Sequence, residues 1–169
     1  MFLDIDGVLA TQATYKAWRA VGGCMYDRPQ HRTEVLFDPE CVSLVQELLD
    51  QTQAQVVISS TWRNLYPWDF LTGLLADVGI TSPIVGRTPH IKPKKMSQYI
   101  RRGDEIHAWL MEQPEAISQK DILILEDEED VRPYRNRQVQ TTFYGQHAGF
   151  REKHLKRALR LAGLPPRKG

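Results

Sequence analysis

Along this chain, short continuous apolar runs alternate with stretches in which apolar residues recur every three or four positions. The runs MFLDI, QVVISS, SPIVG, DILILED and QVQTTFY predict five strands. In the second, Val56, Val57 and Ile58 follow one another without a polar break, as expected of a strand covered on both faces. The periodic stretches predict helices. DPECVSLVQELLDQ offers Asp38 as N-cap, Pro39 at the first helical position, and Cys41, Leu44, Val45 and Leu48 on one face. PWDFLTGLLADVG groups Trp68, Leu71, Leu75 and Val78 and stops at Gly79. GDEIHAWLMEQP groups Ile106, Trp109 and Leu110, and REKHLKRALRLAG groups Leu155, Ala158, Leu159 and Ala162 before Gly163. Strands alternating with helices predict an α/β fold with a mostly parallel sheet between helical layers.

Two segments resist that pattern. Residues 10–37, with GGCMYDRPQHRTE, are polar and broken by glycine and proline, and predict a flap or small insertion over one end of the sheet. Residues 87–103, RTPHIKPKKMSQYIRRG, predict a long basic loop.

Composition narrows the reading. The 169 residues suit a single domain, 1–169, able to bury about two-thirds of its extended surface. A net charge of +1 singles out neither nucleic acid nor an anionic membrane as partner. No apolar run approaches the ~20 residues that span a bilayer, and the acidic start is unlike a signal peptide. Cys24 and Cys41 show no metal or disulfide pattern, so a reduced cytoplasmic setting is expected. The five histidines, His31, His90, His107, His147 and His154, have no metal-ligand spacing.

The candidate chemistry sits at strand ends. In parallel sheets ligands bind beyond the carboxyl ends of the strands. Asp4 and Asp6 lie at one such end, Ser59 and Ser60 at a second, and Glu126 and Asp127 at a third. Carboxylates gathered in one partly dry crevice are costly without a cation, and an all-oxygen set favours Mg²⁺. One aspartate can attack phosphorus while the other handles a proton. Read alone, D-x-D-G is equally a charged turn, and EDEED an acidic helix start.

DIDGVL, VVISSTWR and ILILEDEED, in this order, resemble the haloacid dehalogenase-like (HAD) phosphatases. The phrases ISSTWR, VGRTP, RGDEIHAWL and GFREKHLKRALRLAG are similar to the HAD domains of Swiss Army knife RNA repair proteins. The resemblance implies a Rossmann-like three-layer domain with little or no cap. It implies Asp4 as nucleophile and Asp6 as general acid/base, with Asp6 adding its main-chain carbonyl to Asp4 and Asp127 around Mg²⁺. It implies Ser59, or Ser60 if the strand runs one residue further, on the transferring phosphoryl group. Glu126 and Asp130 would lie in the outer shell. The family's usual lysine is replaced by Arg102, with Lys92, Lys94 or Lys95 as alternatives, and Val8 stands where many relatives have Thr.

Arg63 is expected on substrate phosphate or in a salt bridge, and Trp62 as a base-stacking or a packing residue. His90 is a further candidate for substrate contact. Lys92, Lys94, Lys95, Arg101 and Arg102 either track a polynucleotide backbone or only solvate a loop. The expected function is a phosphomonoesterase of nucleotides or phosphorylated nucleic-acid ends, with no membrane and no obligate protein partner. A sugar-phosphate phosphatase is the alternative. A phospho-receiver is disfavoured because ISSTWR ends the mid-chain strand without an aspartate; a non-catalytic HAD-fold binder is disfavoured by Asp6.

Overall fold

The structure, a computed structural model, describes residues 1–23, 33–93, 95 and 99–165. Cys24, His31 and Lys94 lie outside them. Five parallel strands form one sheet in the order β3-β2-β1-β4-β5. They are β1 (Phe2–Leu3), β2 (Val56–Ile58), β3 (Ile84–Arg87), β4 (Ile124–Glu126) and β5 (Gln138–Gln140). The helices are α1 (Gln12–Ala20), α2 (Pro39–Thr52), α3 (Trp62–Leu65), α4 (Trp68–Val78), α5 (Arg102–Met111) and α6 (Glu152–Leu161).

Local chemistry sets the helix ends. The Asp38 carboxylate accepts from the amides of Glu40 (3.0 Å) and Cys41 (3.3 Å), so α2 starts at Pro39 as its sequence predicts. Gly79 takes a left-handed conformation (φ 116°) and closes α4. The fifth strand is shorter than expected: after Gln140 the chain leaves the sheet, and Thr142–Gly149 form a loop.

Side chains alternate between two apolar clusters, one on each face of the sheet. Leu3, Val56, Ile58, Leu125 and Val139 pack with α2, α4 and α6. Phe2, Val57 and Ile124 pack with Ile106, Val131 and Tyr134, against Trp109 and Leu110 of α5. The sheet is therefore the middle of three layers, with α5 on one face and α2, α4 and α6 on the other.

The segment 10–37, expected as a broken polar flap, contains the helix α1. Thr11 and Thr14 exchange side-chain and amide hydrogen bonds across its first turn (2.9 and 3.3 Å), a reciprocal cap. Trp18 buries itself on one side, and the amide of Gln12 donates to Phe143 O (3.0 Å), tying the helix to the 142–149 loop. Among the described residues no helix is long and apolar enough to cross a membrane.

Candidate active site

Strand register builds the floor of the site. Leu3 pairs with Ile58 on one side and with Leu125 on the other. The next residue of each strand is Asp4, Ser59 or Glu126, and the ladder continues through them: Asp4 N donates to Leu125 O (3.0 Å) and Ser59 N to Leu3 O (2.8 Å). By alternation all three side chains lie on the face of Phe2, Val57 and Ile124, the face that α5 covers. One oxygen each of Asp4, Glu126 and Asp127 falls within 4.8 Å of the others. Glu126, expected further out, thus stands beside Asp4.

Gly7 makes room for this cluster. With φ 73°, it turns the chain back after Asp6, and a Cβ there would lie 2.4 Å from Asp127 Cγ. The amides of Val8, Leu9 and Ala10 all donate to Ile5 O, closing a tight turn.

Asp6 turns away from the cluster. Its two carboxylate oxygens accept from Tyr15 Oη (2.8 Å) and Trp62 Nε1 (3.0 Å). Its side chain is not among the clustered carboxylates, so any metal contact from Asp6 falls to its main chain. Trp62 is 3% exposed and packs edge-on against Phe37, which makes it a packing residue and a donor to Asp6, and rules out base stacking.

Arg102 opens α5 beneath the cluster. Its Nε donates to Glu126 (3.0 Å) and its Nη1 to Glu105 (3.0 Å). Asp130, expected in the outer shell of a metal, accepts the amide of Arg102 (3.0 Å) and the hydroxyl of Tyr99 (3.0 Å) through a single oxygen, Oδ2. Gly103 lets α5 sit directly on the 131–132 backbone, since a Cβ there would be 1.8 Å from Arg132 O. Arg102 is thereby held in the pocket wall with Asp4 and Glu126.

The expectation that Arg63 binds substrate phosphate is corrected. Its side chain is 2% exposed. Its donors are committed to the carbonyls of Ser60, Thr88 and Pro89 and to the Glu105 carboxylate. Buried carbonyls and a buried carboxylate need those donors, so Arg63 props Glu105, which in turn holds Arg102. His90 stands outside the pocket with Asn64 and Arg87, 3.7 Å from Glu105. Lys92 and Lys95 are exposed and do not line the pocket, and Arg101 pairs with Asp104 (3.0 Å). Of the basic run, among its described members, only Arg102 reaches the site.

Burial sets the electrostatics. It pushes the carboxyls of Asp4, Glu126, Asp127 and Asp6 above the usual range. The Arg102 charge pulls Asp4 back, and the hydrogen bonds from Tyr15 and Trp62 do the same for Asp6. The Ser59 hydroxyl is buried in the same row without a hydrogen-bond partner among the described residues. Four carboxylates against one guanidinium leave a surplus of negative charge. An all-oxygen set with a spare buried hydroxyl fits a hard divalent cation.

The pocket over this floor encloses about 600 Å³. One wall comes from α1, through Tyr15, Lys16 and Arg19, and another from Phe143 and Tyr144. The sequence reading missed this wall. The signal for it is present in Thr11 and Thr14 at capping spacing, followed by Tyr15 and Trp18 three apart.

No curated protein and no solved structure shows a significant match to the chain. A family model described as the HAD domain in Swiss Army Knife RNA repair proteins matches residues 1–155. That match spans all five strands and every residue of the floor, and the chain belongs to this family of HAD domains.

Proposed function

We propose that the protein is a magnesium-dependent phosphomonoesterase acting on nucleotides or on phosphorylated nucleic-acid ends. The observation that carries this reading is Asp4, held between Glu126, Asp127 and the Arg102 guanidinium at the bottom of an open pocket. Family membership adds the phosphatase-type hydrolase class and the link to RNA repair.

An Asp4 carboxylate oxygen forms a bond to phosphorus as the ester P–O bond breaks. The leaving alkoxide takes a proton from the Asp6 carboxyl, which Tyr15 and Trp62 hold in place. Asp6, now ionised, takes a proton from water, whose oxygen attacks phosphorus and releases phosphate and Asp4. Arg102 faces the phosphoryl oxygens with positive charge, and the unpartnered Ser59 hydroxyl is free to donate to one of them. Asp4 and Asp127, with the Asp6 main-chain carbonyl and Glu126 within reach, would hold Mg²⁺. When bound, it supplies positive charge that offsets the carboxylates and the charge developing on the phosphoryl group.

The test is phosphate release from p-nitrophenyl phosphate, nucleoside monophosphates, 3′- and 5′-phosphorylated oligonucleotides and sugar phosphates, with and without Mg²⁺. Turnover that needs Mg²⁺ and favours nucleotides or strands supports the reading. No turnover of any phosphoester overturns it, and a preference for sugar phosphates replaces its substrate.

A further inference from the structure

Resting on the phosphatase reading of the floor, we infer that the rim of the same pocket is a docking subsite for a single nucleic-acid strand. In it Lys16 and Arg19 hold the phosphodiester next to the reacting end, and Tyr144 stacks on the adjoining base.

Charge argues first. The pocket lining carries Asp4, Asp6, Glu126, Asp127 and Glu128 against Arg102, Lys16 and Arg19. Arg102 is already shared by Glu105 and Glu126, so it has little left for more than the reacting phosphoryl group. Lys16 and Arg19 are exposed, three residues apart on α1, and so share one helix face. Both line the pocket, and among the described residues no ion pair or side-chain hydrogen bond engages either of them. Two unpaired cations beside an acidic floor are placed for an incoming anion larger than one phosphoryl group. Glu128, exposed beside Asp127, repels a phosphate on its own side and steers the strand toward α1.

Aromatic packing argues second. Tyr144 is 65% exposed and lines the pocket. Its ring is held edge-on by Phe143 at 5.0 Å, and Phe143 by Tyr15 at 5.5 Å. The Gln12 amide bond to Phe143 O ties this loop to α1, so the ring stands beside the helix that carries the cations. A large exposed ring on a rigid support is a stacking platform for any base. A cavity of about 600 Å³ exceeds what a phosphoryl group alone fills and lies in the range of small-ligand sites.

The probe is a fluorescent single-stranded hexanucleotide with hydroxyl ends, which presents phosphodiesters and bases but nothing to hydrolyse. Its affinity is measured by anisotropy across a KCl series. Each phosphate left unneutralised on a single strand lowers the salt slope by about 0.7, so Lys16→Ala/Arg19→Ala, which frees the one phosphodiester that the two residues hold, is expected to lower it by about 0.7. Lys16→Arg/Arg19→Lys keeps the slope. Tyr144→Ala weakens binding about fivefold or more, and an abasic hexamer shows the same loss on the unaltered protein. These side chains are exposed, and circular dichroism checks that the variants fold. An unchanged slope in the double alanine variant overturns the subsite, as does equal binding of basic and abasic strands. Phosphate release with an unchanged slope removes the subsite alone. A reduced slope without any phosphate release removes the phosphatase reading and leaves a strand-binding surface.

Discussion

At the floor of the pocket, charged groups are buried and interlocked: Arg63, Glu105, Arg102 and Glu126 alternate in sign in an unbroken series that ends against Asp4. At the rim, Lys16, Arg19 and Tyr144 are exposed, and the cations have no described partner. The floor meets the one group that every phosphomonoester shares, so its atoms can be fixed in advance, and in a dry site fixed charge acts strongly. The rim meets the part that differs between substrates, and exposed side chains on a rigid helix can adjust to it. A series of interlocked ions has a cost, because removing one member strands the next.

The largest effect is expected from Asp4→Asn, which removes the attacking oxygen and should lower kcat by about 10⁴-fold or more. The same change takes a buried carboxylate out of a repulsive cluster, so the Tm of the metal-free variant should rise. Loss of activity with a lower Tm would break the view of the floor as charge held against stability. Next is Glu105→Ala, which leaves Arg63 and Arg102 without their shared carboxylate. It should cost about 3–5 kcal/mol in urea unfolding. A cost as small as that of a surface ion pair would mean the floor is not interlocked.

A buried titratable group away from the pocket sharpens the comparison. His154 accepts the Arg151 amide at the start of α6 (2.9 Å), so that ring nitrogen must be unprotonated. Burial, with Lys153, Arg151 and Arg157 nearby, pushes the His154 imidazole from 6.5 down to about 4. The unfolded chain then binds the extra proton between those values. Stability is full above about pH 6.5 and falls toward pH 4, by about 2–3 kcal/mol. His154→Gln keeps an acceptor and should flatten that slope in thermal melts taken across the window. An unaltered slope would assign the acid sensitivity to other groups, those of the floor included. The smallest effect is expected from Tyr15→Phe. It removes one of the two donors on Asp6 and should lower kcat about tenfold on p-nitrophenyl phosphate. A change in KM alone would place Tyr15 with the rim instead.

The strands and four of the helices are readable in the chain because their signals are local. A run such as Val56–Ile58 or a cap such as Asp38–Pro39 needs no distant partner to be recognised. The helix α1 was not read, because its few apolar residues stand in a polar stretch beside GGCMYDRPQHRTE. Glu126 and Asp127 could not be ranked from their order alone. Register decides that Glu126 stands in the row of Asp4, while the bare Gly7 admits Asp127. Arg63 reads as a phosphate ligand by type and place, and only packing shows its donors used on carbonyls and Glu105.

The chain by itself determined five strands, their order of helices between, and three strand ends rich in oxygen ligands, since these follow from short-range periodicity and capping. Tertiary structure alone decided which side chain turns inward past each strand end, that Asp6 leans on Tyr15 and Trp62, and that α1 closes one wall. Past the last ladder bond a side chain's direction is set by neighbours distant in sequence, and no local pattern encodes those contacts.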